Sequence, residues 1–168
     1  MNFPLVPNYM VSSVTELTPE RLRQMNIGLL MLDFDNTIVP YTTNDPTSEM
    51  AGWLKMMVES DFPICVVSNS KRDRVKIFCD RWGIACITHS QKPFPKGIRQ
   101  CLKQFSMEAG QCALAGDQIY TDVLGANCAG VRSVLVKAIH QHNFWLKLRH
   151  VAELPFIGIG KLCGRNQF

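Results

Sequence analysis

The chain has no Cys-x-x-Cys pair, no internal repeat and no low-complexity stretch. Its longest uninterrupted apolar run near the front is Ile27–Leu32. That run is far shorter than the roughly 20 residues needed to span a bilayer, so a membrane helix is not expected there. The opening MNFPLVPNYM has no basic stretch and carries two prolines, so it does not read as a signal peptide. Seven cysteines, odd in number and scattered at positions 65, 79, 86, 101, 112, 128 and 163, argue against a disulfide framework or a zinc site. They point instead to reduced thiols in a cytosol, several of them in apolar strands. With 46% hydrophobic residues and a mean hydropathy of +0.00, the chain is globular rather than disordered. Its 168 residues suit one domain with a core that needs no covalent staples.

The net charge of +4 is unevenly placed. Bases and acids cancel over residues 1–136, whereas residues 137–168 hold five bases (Lys137, Lys147, Arg149, Lys161, Arg165) against the single acid Glu153. A basic end of this kind is either a solvated surface segment or a contact for an anionic partner such as a lipid surface or nucleic acid.

Short apolar runs alternate with amphipathic stretches. Thr18 and Pro19 have the character of an N-cap and first helical residue. Strands are expected over 27–32, 62–67, 84–88, 111–115 and 131–136, each all-apolar or nearly so, as in strands covered on both faces. Helices are expected over about 46–60, where Met50, Trp53, Leu54, Met57 and Val58 form one stripe. Others are expected over 71–82, capped by Ser70 and ended by Gly83, over 96–105, and over 122–129. Alternation of this kind predicts an α/β fold: a doubly wound, Rossmann-like parallel five-stranded sheet with helices on both faces. The expected division is one domain over 1–168, with a core of about 27–137 and a basic C-terminal segment over 138–168.

In an open sheet of this type, ligands bind at the carboxyl ends of the strands. The residues found there are Asp33, Asp35 and Thr37 after the first expected strand, and Ser68 and Asn69 after the second. Lys92 follows the third; Asp117 follows the fourth, with Asp122 five residues on. All lie on one edge of the expected sheet. Carboxylates gathered at one rim repel one another and call for a cation. Oxygen ligands without clustered His or Cys favour a hard ion, and Mg2+ is the natural candidate. Beside it a Lys and a Ser hydroxyl can hold phosphate oxygens. One carboxylate can attack phosphorus while a second, two residues later, moves the proton.

These segments, LLMLDFDNT, ICVVSNS, QKP and ALAGDQIYTD, resemble in order the four motifs of the haloacid dehalogenase (HAD) superfamily of phosphatases. The resemblance implies Asp33 as nucleophile and metal ligand. It implies Asp35 as general acid and base, with its carbonyl on Mg2+, and Ser68 on the phosphoryl oxygens. Lys92 would offset charge, with Lys96 as its rival. Asp117 would bind the metal, with Asp122 orienting it. Asn69 and Thr37 are candidates for the substrate side, although both also suit a loop-shaping role. The Thr-Pro-Glu near the start, DFDNT, the Lys-Pro loop and GDQIYTD look most like the YqeG family of subclass IIIA, relatives of phosphatidylglycerophosphate phosphatases.

The intervals between motifs are too short for a cap domain, so a capless site is expected, open to solvent unless a second subunit covers it. That suits a phosphate carried on something large. The resemblance therefore implies a Mg2+-dependent phosphomonoesterase acting through an aspartyl-phosphate, with a lipid phosphate first among substrates. Soluble nucleotide or sugar phosphates come second. A non-catalytic receiver-like phosphoryl-binding domain is the alternative of another class, disfavoured because the second Asp supplies a proton relay. The protein is expected in the cytoplasm, with HNFWLKLR a candidate for peripheral contact with an anionic membrane. Oligomerisation is open, and nucleic acid is not an expected partner.

Overall fold

The computed structural model describes residues 4–70, 73–139 and 155–159. A six-stranded, wholly parallel sheet forms its centre. The strands are β1 (Tyr9–Val11), β2 (Leu29–Leu32), β3 (Ile64–Val67), β4 (Ala85–Ile87), β5 (Cys112–Gly116) and β6 (Arg132–Val136). They lie in the order β1-β6-β5-β2-β3-β4. The helices are α1 (Pro19–Gln24), α2 (Ser48–Glu59), α3 (Arg74–Trp82), α4 (Lys96–Phe105) and α5 (Leu124–Ala129).

Both faces of the sheet are covered, and alternate residues along each strand serve opposite cores. Leu30, Leu32, Ile64, Val66, Ala113 and Ala115 pack with Trp53 and Leu54 of α2 and Val75 and Phe78 of α3. Their neighbours Leu29, Met31, Cys65, Val67, Cys112 and Leu114 pack with Ile98 and Cys101 of α4 and Ala126 of α5. This two-sided burial is why the strands read as unbroken apolar runs. The sheet is the expected doubly wound one with a sixth strand added. β1 escaped the sequence reading because it is three residues long, half-buried, and an edge partner of β6 alone.

Local signals hold at several termini. Thr18 caps α1 by accepting from the Arg21 amide at 3.3 Å, with Pro19 as the first helical residue. Gly83 closes α3 at φ +65°, where a side chain would be strained. Two expectations are corrected. Helix α3 begins at Arg74 behind Asp73, not behind Ser70, whose backbone amide instead donates to Ser68 Oγ at 3.1 Å. The helix expected over 122–129 is two pieces, a π-helical turn (Ile119–Val123) running into α5.

Between Asp35 and Ser68 the chain builds only a loop, α2 and β3; between Ser68 and Lys92 it builds α3 and β4. No inserted cap occurs there among the described residues. No helix among the described residues is long and apolar enough to cross a membrane. The HNFWLKLR segment, and most of the basic C-terminal segment, lie outside the described residues. Residues 155–159 form a helical turn whose Phe156 meets Tyr120 edge to face at 6.3 Å.

The cysteines among the described residues are free, and Cys65, Cys79, Cys101 and Cys112 are buried whereas Cys128 is exposed. A hydrogen bond with Cys101 and then burial push the Cys65 thiol up, and burial pushes Cys112 up to about 11. A thiol-directed reagent at pH 8 is therefore expected to modify Cys128 quickly and those four only in denaturant, as read by peptide mass mapping. Rapid native-state modification of Cys65 or Cys112 would contradict this packing.

Candidate active site

Strand order places the site. From β2 the chain winds outward through β3 and β4, then returns to the other side of β2 for β5 and β6. The crevice at this reversal lies between the carboxyl ends of β2 and β5, which release Asp33 and Asp117. The two strands are in register, Leu32 opposite Ala115, and the Asp33 amide donates to the Ala115 carbonyl at 2.9 Å.

Carboxylate oxygens of Asp33, Asp117 and Asp122 lie within 4.8 Å of one another, all three residues buried. Asp122 reaches this group from the π-helical turn. That turn folds back so that Asp122 Oδ2 accepts from the Gln118 amide at 3.1 Å. It packs so closely on Gly116 that a β-carbon there would meet Asp122 Cγ at 2.3 Å. Only glycine fits at that position, which gives the Gly-Asp pair a steric reason beside any chemical one.

Lys92 answers the acids. Its Nζ is 2.7 Å from Asp33 Oδ1 and 2.7 Å from Asp122 Oδ1, and the residue is 4% exposed. Lys96, by contrast, is exposed on the first turn of α4. Burial acts against the Lys92 charge, but Asp122 and Asp33 outweigh it and hold its ammonium above the usual lysine range. Burial pushes the Asp122 carboxyl up to about 6, assisted by Asp33 and opposed by Lys92. Two of the three carboxylates, Asp33 and Asp122, thus share the Lys92 ammonium.

The Lys92 loop is pinned from β3. Asn69 Oδ1 accepts from the Lys92 amide at 2.7 Å and from Ser90 Oγ at 2.8 Å, while its Nδ2 donates to the Lys92 carbonyl at 2.8 Å. All of these bonds hold the loop, so in this structure Asn69 is a clamp for Lys92. Ser68 is buried at the end of β3, its amide paired with the Ile87 carbonyl at 2.9 Å. Thr37 is buried in the loop after Asp33, and its hydroxyl makes no hydrogen bond among the described residues. Asp35 lies in that same loop, with Oδ1 2.9 Å from Arg74 Nη2. Arg74 is absent from the sequence expectations. It stands in the run KRDR, which has the look of a solvated helix start, and only the fold brings it to Asp35.

Known proteins resemble this chain in sequence and in fold. A family profile described as HAD-hydrolase-like matches residues 90–141. A Bacillus subtilis protein named "Probable phosphatase YqeG" is 32% identical over 131 residues, covering 78% of this chain and 76% of that protein. Among solved structures, the deoxy-D-mannose-octulosonate 8-phosphate phosphatase of Haemophilus influenzae superposes with a TM-score of 0.53 at 17% identity, over 81% of this chain and 92% of that one. A HAD-superfamily hydrolase from Ehrlichia chaffeensis gives 0.52 at 15% identity, over 78% of this chain and 98% of that one. At such identities the structural likeness speaks for the fold.

Proposed function

Because the chain belongs to the YqeG-like family of HAD phosphatases, we propose that it hydrolyses phosphomonoesters through an aspartyl-phosphate on Asp33, with Mg2+ as the metal. The observation that carries this is the set of Asp33, Asp117 and Asp122 oxygens within 4.8 Å of one another, with Lys92 paired to Asp33 and Asp122. An all-oxygen, negatively charged pocket fits a hard divalent ion. Asp33, Asp117 and the Asp35 carbonyl would hold it, with Asp122 orienting the set. When bound, the ion draws negative charge from the phosphoryl oxygens.

The remaining chemistry belongs to this chain's side chains. An Asp33 carboxylate oxygen bonds to phosphorus as the bond from phosphorus to the leaving oxygen breaks. Asp35 gives its proton to that oxygen. Asp35 then takes a proton from water as the water oxygen displaces Asp33 from phosphorus, releasing phosphate, freeing the Asp33 carboxylate and returning Asp35 to its protonated form. Lys92 balances charge on Asp33 throughout, and Ser68 binds the phosphoryl oxygens.

For the substrate, the lack of an inserted cap between the motifs among the described residues supports a phosphate on a large or surface-bound molecule. Phe94, 70% exposed and two residues beyond Lys92, supports an apolar neighbour at the rim. A lipid phosphomonoester is the first candidate, presented at an anionic membrane surface, and a soluble sugar or nucleotide phosphate the second. Purified protein is expected to release phosphate from such esters with Mg2+ present and to lose that activity in EDTA. Full activity in EDTA would remove the metal from the proposal. Faster turnover of a short-chain soluble ester than of the same headgroup in vesicles would reverse the order of substrates.

A further inference from the structure

Arg74 opens α3, and its guanidinium is fixed on three sides. Nη2 is 2.9 Å from Asp35 Oδ1. The guanidinium carbon lies 5.1 Å from the centre of the Phe34 ring. Nη2 also faces the Thr43 carbonyl at 3.4 Å. Phe34 is fully buried and meets Phe78 edge to face at 5.2 Å, so it is a fixed platform rather than a loose surface ring. An exposed ion pair contributes little because two long side chains must be ordered to form it. Here the planar guanidinium is already ordered by the ring beneath it, and its partner sits on a loop one residue from that ring.

We propose that Arg74 is a positioning residue for Asp35: the guanidinium, seated on Phe34, holds the Asp35 carboxyl group in place to serve the leaving oxygen. This rests on the reading above, in which Asp35 protonates that oxygen as the Asp33–phosphorus bond forms. A carboxyl group free to swing transfers its proton poorly. The resulting loss depends on how much the leaving group needs a proton. An alkyl alkoxide needs it, whereas p-nitrophenolate departs largely without it.

The test measures kcat/KM, which reports steps up to leaving-group departure, on glycerol 3-phosphate and on p-nitrophenyl phosphate. The proteins are wild type, Arg74→Ala, Arg74→Lys, Arg74→Gln, Asp35→Asn and Arg81→Ala. Arg81 is the control: it lies on the same helix and pairs with exposed Asp45 at 2.9 Å. Arg74→Ala is expected to lose about tenfold to a hundredfold on the alkyl ester and under about threefold on the aryl ester, a share of what general acid catalysis supplies. Arg74→Lys should recover part of the alkyl loss, and Arg81→Ala should change neither. If Arg74→Ala fails to fold, Arg74→Gln carries the same comparison. Equal losses on both esters for the Arg74 variants, with the split intact in Asp35→Asn, would overturn the role of Arg74 and leave the phosphatase reading standing. Absence of the split in Asp35→Asn itself would instead overturn the reading on which it rests.

Discussion

Asp33→Asn is expected to abolish phosphate release, with kcat falling on the order of 10^4 to 10^6, the scale on which enzymes lose rate when a covalent nucleophile is removed. The substitution keeps shape and volume but takes away the negative oxygen that, in the proposed mechanism, bonds to phosphorus. It also removes one of the three carboxylates gathered within 4.8 Å. The fold should survive, because Lys92 retains its 2.7 Å partner in Asp122. A melting temperature within a few degrees of wild type, with no activity, separates a chemical loss from a structural one. The companion variant Asp35→Asn should still form the phosphorylated Asp33 but release it slowly. After acid quenching with radiolabelled ester, label should remain on the protein and be discharged by hydroxylamine. An Asp33→Asn protein that keeps even a hundredth of wild-type turnover would remove this residue from the chemistry.

Lys92→Met has the largest expected effect on stability. The side chain it replaces is buried, and Asp122, one of its two partners, is 1% exposed. Removing the cation from a buried pair leaves uncompensated charge and costs about 3–5 kcal/mol. For a chain of this size that is a fall in Tm of about 10 °C. Its sign with pH follows from Asp122. In wild type the folded-state carboxyl is already raised from 3.8 to about 6 despite Lys92, and without Lys92 it rises further. A group whose folded value is raised favours the fold fully below its unfolded value, and that contribution is lost as pH rises through the folded value. The stability deficit of metal-free Lys92→Met should therefore be small near pH 4 and grow through pH 6 and 7. Mg2+ should narrow it at pH 7 by supplying positive charge to the same carboxylates. A deficit constant from pH 4 to 7 would mean that packing, not charge, is what the lysine contributes.

The parts of this molecule that were legible in its sequence are those governed by local pattern. The runs ICVV and CALAG are buried on both faces, so composition alone marks them as strands, and their ends then locate Ser68 and Asp117 without further help. Pro19 and Gly83 mark their helix ends for reasons internal to a single turn. What was not legible depends on distant segments. β1 is a strand only because β6 is beside it, with Tyr9 opposite Val134. Asn69 looks like one more polar residue after a strand, and its service to the backbone at Lys92 emerges only when β3 and the following loop meet. Arg74 is separated from Asp35 by α2 and β3, and no spacing rule connects them. The π-helical turn that delivers Asp122 has no sequence mark beyond the glycine at 116 against which it presses.

The amide of Asn69 grips Lys92 by both its backbone nitrogen and its backbone oxygen. The ammonium group is thus delivered by a rigid strut running from the central sheet, not by a tether that must find its place after substrate arrives. Charge stabilisation that exists before the reaction needs no dipoles to reorient while it proceeds, which is where an enzyme gains most over water. With no inserted cap between the motifs among the described residues, that built-in stiffness stands in for the ordering that closure supplies elsewhere.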